Sequence, residues 1–291
     1  MRIEELIRDA PVLCDGAWGT ELQKRSLPPG ACPDEWNLSN AERVREVGAA
    51  YVRAGSRVIL TNTFRASPIA LACFGLQERM EEINRSGVRL SKEAAQGSAF
   101  VFASVGPTGK MLASGEVVQD EVRSAYTLQT RALASEQPDA ILIETMSDIA
   151  EARIAAEAAL ETGLPVIVSF VFDSGKNRDR TIMGATPEQA ASELAAAGVQ
   201  AIGTNCGAGL AGYASLCRRL AAASGLPVWA KPNAGLPKIV DGAVRYDTSP
   251  QEFAAAGEEL ACAGATFIGG CCGTTPEFIR ALAQTAAFAA R

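Results

Sequence analysis

The sequence alternates eight times between a short β-rich run and a longer segment of helical composition. The β-rich runs are Ala10–Cys14, Arg57–Leu60, Phe100–Ser104, Ala140–Ile143, Pro165–Val171, Gln200–Gly203, Pro227–Ala230 and Ala265–Ile268. The segments between them are rich in Ala, Leu, Glu and Arg, and include Ser39–Arg53, Glu78–Gln96, Asp120–Ser135, Asp148–Glu161, Pro187–Ala197, Gly212–Ala223 and Ser249–Cys262. Such alternation is typical of parallel βαβ units.

Eight of these units in 291 residues predict an α/β fold, a closed (β/α)8 TIM barrel. A doubly wound open sheet is the alternative, but no GxGxxG follows the first β-rich run. Thr186-Pro187 and Ser249-Pro250 have the pattern of an N-cap followed by proline at the first helical position. No linker rich in Pro, Gly or Ser divides the chain, so we predict a single domain over residues 1–291.

Composition excludes several classes of function. The net charge of −6 gives no basic surface for nucleic acid, and no apolar run approaches the roughly 20 residues of a membrane span. The charged amino-terminal residues do not resemble a secretory leader, which predicts a cytoplasmic protein. The chain has no histidine, and this excludes His-containing triads and His metal ligands. A homo-oligomer stays open at this stage.

Three of the eight cysteines follow predicted strands: Cys206 follows the sixth, and the pair Cys271-Cys272 follows the eighth. The carboxyl ends of the strands carry the active site in barrels of this class, so these thiols are expected to converge. Adjacent cysteines rarely form a disulfide with each other, and the flanking glycines allow a tight turn around one ion. Three thiolates without histidine indicate Zn²⁺ with an open fourth position, which suits an incoming thiol held as thiolate.

Plainer interpretations exist for these and for other rim residues. The cysteines could be core residues or a redox pair, although the motif is not CxxC. Lys231 after the seventh strand would fit a Schiff-base aldolase, which leaves the three cysteines unexplained. Asp148 is expected to cap the next helix, with Glu151 as its capping-box partner. We assign no role to the remaining cysteines, which are Cys14, Cys32, Cys73, Cys217 and Cys262.

Seven segments, in order over nearly the whole chain, resemble the zinc-dependent homocysteine S-methyltransferases. They are DGAWGTELQ at 15–23, TNTF at 61–64, ETMSDIAEA at 144–152, DRTIMG at 179–184, GTNCG at 203–207, KPNAGLP at 231–237 and GGCCGTTPE at 269–277. That family includes betaine–homocysteine methyltransferase, the S-methylmethionine-dependent enzymes and the homocysteine module of cobalamin-dependent methionine synthase. Its fold is a (β/α)8 barrel, in agreement with the alternation of strands and helices. Phe278 departs from the pattern, since many relatives have His there.

The resemblance implies that Cys206, Cys271 and Cys272 ligate one zinc ion and that the homocysteine sulfur takes the open position. The thiolate would then attack a methyl group and give methionine. Glu144 is expected to bind the substrate ammonium, and backbone N–H groups at a helix start to bind its carboxylate. The expected substrate-binding residues are thus Asp15, Gly16, Ala17, Trp18, Gly19, Thr20, Glu144 and Asn233. Glu144 could instead be a structural acid, Asn233 could close a turn, and Trp18 could simply pack.

The methyl donor is left open between betaine, S-methylmethionine, S-adenosylmethionine, dimethylsulfoniopropionate and a methylcorrinoid. Donor contacts are expected from the loops at 28–36 and 175–180. Two other functions stay open: methylation of a different thiol, and a homocysteine-binding subunit that is active only with a separate corrinoid protein.

Overall fold

Eight parallel strands form a ring in the part of the chain that the structure, a computed structural model, describes, which is residues 3–240 and 243–289. Both ends of the predicted 1–291 domain therefore lie outside the described residues. The barrel strands are β1 (Val12–Leu13), β2 (Val58–Leu60), β3 (Phe100–Val105), β4 (Ala140–Met146), β5 (Val166–Phe170), β6 (Ala201–Cys206), β7 (Val228–Pro232) and β10 (Ala265–Ile268). Between the last two, β8 (Lys238–Val240) and β9 (Ala243–Arg245) pair as an antiparallel hairpin that was not predicted.

The ring closes between β1 and β2. The strand order is β1-β10-β7-β6-β5-β4-β3-β2, and a parallel bridge between Cys14 and Val58 joins its two ends. Two hydrogen bonds support this seam, from Asp15 N to the Val58 carbonyl (3.0 Å) and from Arg57 N to the Leu13 carbonyl (2.8 Å). The predicted (β/α)8 barrel is confirmed.

Helices surround the barrel in the predicted alternation. They are α1 (Ile3–Arg8), α2 (Gly19–Lys24), α3 (Trp36–Ser39), α4 (Ala41–Arg53), α5 (Pro68–Ala72), α6 (Met80–Ala95), α7 (Gln119–Ala134), α8 (Ile149–Leu160), α9 (Pro187–Ala196), α10 (Tyr213–Ser224), α11 (Pro250–Cys262), α12 (Pro276–Ala283) and α13 (Ala286–Ala289). Thr186 and Ser249 cap α9 and α11 with proline at the first helical position, as predicted, and the structure adds a full capping box at each. Across the described ranges, no helix has the length and apolar character needed to cross a bilayer.

One capping prediction is wrong. Asp148 does cap α8, since its Oδ1 accepts a hydrogen bond from Ala150 N at 2.8 Å. Glu151, however, does not reach back to complete a capping box. Its Oε1 instead accepts hydrogen bonds from Thr108 N (2.8 Å), Thr108 Oγ1 (2.7 Å) and the Tyr126 hydroxyl (2.9 Å). Burial explains the difference, because a buried carboxylate needs donors from the tertiary structure more than a helix start needs a second cap.

Two apolar clusters flank the sheet. Alternate strand residues point inward and fill the barrel, where the rings of Phe102, Trp229 and Phe267 lie within 6.0 Å of one another. Ile3 and Leu6 of α1 belong to the same inner cluster. The larger cluster lies between the sheet and the surrounding helices. The barrel is therefore a packed core, and its polar residues collect at the strand ends.

Candidate metal and substrate site

Three cysteine side chains converge at the carboxyl end of the barrel. Cys206 is the last residue of β6, and Cys271 and Cys272 lie in the turn after β10. Their sulfur atoms all lie within 4.8 Å of one another, and all three residues are half-buried. The convergence expected from the sequence is therefore present, and the three thiols could hold one metal ion. Of the other five cysteines, Cys14, Cys32 and Cys217 are buried and Cys73 and Cys262 exposed.

The backbone fixes the Cys271-Cys272 turn against two neighbouring strands. Cys271 N donates to the Pro232 carbonyl at 2.8 Å, and the Cys272 carbonyl accepts from Ala234 N at 3.0 Å. Gly270 N donates to the Asp15 carbonyl at 2.9 Å. A Cβ on Gly270 would lie 2.3 Å from the hydroxyl oxygen of Thr274, so this position requires glycine. The flanking glycines thus permit the close approach that the turn needs.

The three thiols share protons unequally. Hydrogen bonds from Cys271 and Cys272 lower the pKa of Cys206 to about 2, against the opposing effect of burial. The Cys206 contact raises the pKa of Cys272 to about 12 and also raises the pKa of Cys271 well above its usual value. Asn233 supports the negative sulfur, since its Nδ2 lies 3.5 Å from Cys206 Sγ and donates to the Gly207 carbonyl at 2.6 Å. A cluster that already stabilises negative charge on sulfur is suited to a soft cation.

A cavity of about 520 Å³ opens above the thiols. Its wall contains the three cysteines and six of the eight expected substrate-binding residues, namely Gly16, Ala17, Trp18, Gly19, Thr20 and Glu144. Asp15 and Asn233 are buried beside it and contact its wall residues through hydrogen bonds. The arrangement brings all of the expected site residues to one end of the barrel.

Both carboxylate oxygens of Asp15 already bind other groups of the protein. Oδ1 forms an ion pair with Lys231, and Oδ2 accepts hydrogen bonds from Leu60 N (2.8 Å) and Trp18 Nε1 (2.7 Å). The Trp18 indole is thereby fixed in the cavity wall. Asp15 thus acts on the cavity through Trp18, and direct contact with a substrate stays a prediction.

Lys231 is fully buried at the end of β7 and lies over the Trp229 ring, 5.6 Å from its centroid. Burial by itself lowers the pKa of this lysine, but the charges of Asp15 and Glu144 outweigh burial and raise the pKa above its usual value. A Schiff-base lysine must lose its proton to act as a nucleophile. The aldolase alternative is therefore disfavoured.

Glu144 is a buried carboxylate at the cavity wall. Its Oε1 accepts a hydrogen bond from Ser104 Oγ at 2.5 Å. Burial raises the pKa of Glu144, while Lys231 and the Ser104 contact lower it. The carboxylate is not in an ion pair with Lys231, which is paired with Asp15. It is therefore available to a cation that enters the cavity.

The segment at 16–20 is partly committed to internal contacts. Ala17 N donates to the carbonyl (3.3 Å) and hydroxyl (3.2 Å) oxygens of Thr274, and the Tyr51 hydroxyl donates to the Ala17 carbonyl at 2.7 Å. Thr20 Oγ1 is buried without a hydrogen-bond partner among the described residues. Because Ala17 N is already hydrogen-bonded to Thr274, the group best placed to receive a ligand is the Thr20 hydroxyl at the start of α2.

Sequence reasoning missed several wall residues. Thr145 has a positive φ of 64° and is locked to Asn205, which accepts from Thr145 N and donates to Thr145 Oγ1, both at 2.8 Å. Tyr246 enters the wall from the chain after β9. Thr145 and Asn205 lie within motifs that the resemblance singled out, so those motifs were a usable signal for them. Tyr246 had no comparable signal.

Comparison with known proteins gives a consistent set of likenesses. The model of the family described as "Homocysteine S-methyltransferase" matches residues 12–286. Methionine synthase of Mycobacterium leprae is 28% identical over 97% of this chain, and that of Mycobacterium tuberculosis 29% over 94%. The chain spans about a quarter of the length of these curated relatives.

Solved structures agree with the sequence matches. The crystal structure of the homocysteine methyltransferase MmuM from Escherichia coli, metallated form, has a TM-score of 0.81 at 25% identity. The superposition covers 96% of this chain and 98% of that one. The apo form of the same enzyme gives a TM-score of 0.73 over 93% of this chain.

Proposed function

The chain belongs to the homocysteine S-methyltransferase family, and we propose that residues 1–291 form a barrel that methylates the thiol of homocysteine to give methionine. The observation that carries this proposal is one cavity with three sulfur atoms within 4.8 Å of one another and a buried carboxylate, Glu144, in its wall. Homocysteine has a thiol at one end and an ammonium group at the other. The two features match those two ends.

We assign a zinc ion to Cys206, Cys271 and Cys272. The donor set fits, because it is three soft sulfurs in a chain without histidine, and three protein ligands leave one position for a substrate sulfur. Zinc bound there supplies the Lewis acidity that lowers the pKa of an incoming thiol and favours its thiolate form. The metallated form of the E. coli relative supports this assignment.

The protein's own residues position the substrate. Glu144 pairs with the ammonium group. The Thr20 hydroxyl and the backbone N–H groups at the start of α2 donate hydrogen bonds to the carboxylate, because helix starts favour anions. Asp15 holds Trp18 from behind, and Asn233 holds Cys206. In the reaction the homocysteine sulfur forms a bond to the methyl carbon, the bond from that carbon to the donor breaks, and the thiol proton leaves to solvent. The chain contributes orientation rather than a general base.

The methyl donor is the open part of the proposal. The cavity of about 520 Å³ has room for homocysteine and a small donor such as betaine, S-methylmethionine, S-adenosylmethionine or dimethylsulfoniopropionate. A second candidate function is a homocysteine-binding subunit that needs a separate corrinoid protein. It is favoured by the methionine synthases, of whose length this chain spans about a quarter. A cytoplasmic location stays a prediction from the amino-terminal sequence.

The test is methionine formation by zinc-loaded protein with homocysteine and each donor in turn, with methylcobalamin included. Methionine from one small donor supports a self-contained enzyme. Homocysteine binding without turnover supports the corrinoid-dependent subunit. The Cys271→Ala variant is expected to lose zinc and activity and to unfold as cooperatively as the parent, while Cys73→Ala, at an exposed cysteine, keeps both. A Cys271→Ala variant with full zinc content and activity would refute the proposal.

A further inference from the structure

Lys231 is a buried cation for which the reaction has no chemical use. It lies at the end of β7, is 1% exposed and lines the cavity together with Glu144. Burying a lysine ammonium is costly, so a lysine in this position needs a compensating interaction. Its ion pair with Asp15 supplies one, because Asp15 is fully buried and carries the opposite charge.

Without Lys231, the site would have two buried carboxylates, Glu144 in the cavity wall and Asp15 beside it, together with three thiols. Two carboxylates in one buried site repel each other, and one of them then takes up a proton. The Lys231–Asp15 pair is neutral as a unit, so it leaves Glu144 as the carboxylate with a net charge to offer a ligand. Resting on the function proposed above, we propose that Lys231 is a positioning residue that cancels the charge of Asp15 and keeps Glu144 ionised for the substrate ammonium.

The charged and titratable groups around Glu144 support this role. Burial raises the pKa of Glu144, and Asp15 and Cys206 raise it further. Lys231 has the largest opposing effect, ahead of the hydrogen bond from Ser104. The ammonium group of Lys231 is held by Asp15 and by the Trp229 ring, so its position does not depend on Glu144. Its field at Glu144 is therefore present before the substrate arrives.

Amino acid binding should therefore have an acid limit, which is the pH below which Glu144 takes up a proton and affinity falls. Glu144 binds the ammonium group only when ionised, so affinity falls as the pH drops below the pKa of Glu144. Replacing Lys231 by methionine removes the opposing charge and moves this limit to higher pH. Each unit of that shift weakens binding about tenfold at any pH below the limit. Methionine is the right ligand, because it has the amino acid end of homocysteine without a titrating thiol.

The experiment measures methionine binding to zinc-loaded protein by calorimetry between pH 5.5 and 8.5. Lys231→Met is expected to lose methionine affinity at a higher pH than the parent, by about tenfold for each pH unit by which the limit moves, and to recover towards the parent at the alkaline end of the range. Lys110→Met, at an exposed lysine outside the cavity, is the matched control and keeps the parent profile. A folded Lys231→Met protein with the parent profile would overturn the inference.

A second variant covers the case in which Lys231→Met does not fold because it leaves Asp15 buried and unpaired. The double variant Asp15→Asn/Lys231→Met removes both charges. Since Lys231 influences Glu144 more than Asp15 does, the acid limit still moves to higher pH, but by less. A double variant with the parent profile also overturns the inference. If the parent protein binds neither homocysteine nor methionine at any pH, the proposed function itself fails, and this outcome is distinct from an unchanged profile.

Discussion

Glu144→Gln separates the substrate role of a buried carboxylate from its structural role. Removing one partner of a buried, hydrogen-bonded charge pair costs about 2–5 kcal/mol in binding. At about 1.4 kcal/mol per factor of ten, homocysteine affinity should fall roughly 30-fold to several-thousand-fold. Zinc content should not change, because Glu144 is not among the three clustered cysteines. Stability should hold or rise, because glutamine removes a buried charge whose pKa is raised by burial.

The matched control is Glu151→Gln, seven residues further along the chain. Glu151 is as buried as Glu144, but its donors are Thr108 and Tyr126 rather than a ligand. Glutamine keeps the accepting oxygen and loses the charge, so the free energy of unfolding should drop by about 1–2 kcal/mol. Homocysteine affinity should stay within about twofold of the parent value, since the carboxylate faces the loop after β3.

The assay is homocysteine binding by calorimetry, together with zinc analysis and urea unfolding of the same preparations. The expected result is a double separation: Glu144→Gln loses affinity without losing stability, and Glu151→Gln loses stability without losing affinity. Affinity within about threefold of the parent for Glu144→Gln would refute its role at the ammonium group. Equal affinity losses in both variants would point to a general disturbance of the barrel rim instead.

Three further predictions concern buried residues of the barrel, of which Asp34 lines the cavity. Burial raises the pKa of Asp34 to about 6, so the folded state holds a proton that the unfolded chain releases from about pH 4. The free energy of unfolding should therefore fall by about 2–3 kcal/mol as the pH rises through this window, and Asp34→Asn should remove the slope in urea melts. Gly203→Ala would place a Cβ 2.2 Å from the Trp229 carbonyl oxygen, so it should cost about 3 kcal/mol or more and reduce the yield of folded protein. Tyr51→Phe removes the hydroxyl that donates to the Ala17 carbonyl at 2.7 Å, and should lower the unfolding free energy by about 1–2 kcal/mol in the same assay.

The fold and the thiol cluster were predictable because both follow from local patterns. Strand and helix periodicity can be recognised within a window of a dozen residues, and the parallel barrel then places all strand ends on one rim. Cys206 and Cys271 are thus brought together without any knowledge of their contacts. The same reasoning placed Glu144 at the rim, because it directly follows a predicted strand.

Apart from the thiol cluster, specific side-chain pairings between residues distant in sequence were not predictable. Lys231 and Asp15 are 216 residues apart, and no periodicity relates them. Glu151 followed the local capping-box pattern, but burial under the loop after β3 determined its partners. The hairpin of β8 and β9 did have a signal, since an Asp-Gly pair stands between the two strands in the sequence. Its importance lay in Tyr246, which only the three-dimensional structure places in the cavity wall.

The thiol cluster forms only after the last barrel strand, β10, has joined the sheet. Cys271 and Cys272 reach Cys206 only when β10 has docked against β7 and β7 against β6, so the cluster is absent from a barrel that still lacks its last strand. Metal that binds only the assembled thiol cluster would stabilise the folded state by mass action, by about 2.7 kcal/mol at a free concentration one hundred times the dissociation constant. During synthesis the chain can acquire this stabilisation only after its final strand has been made. Zinc supply in a cell would then add to the stability of the folded barrel as well as set how much of the protein is active.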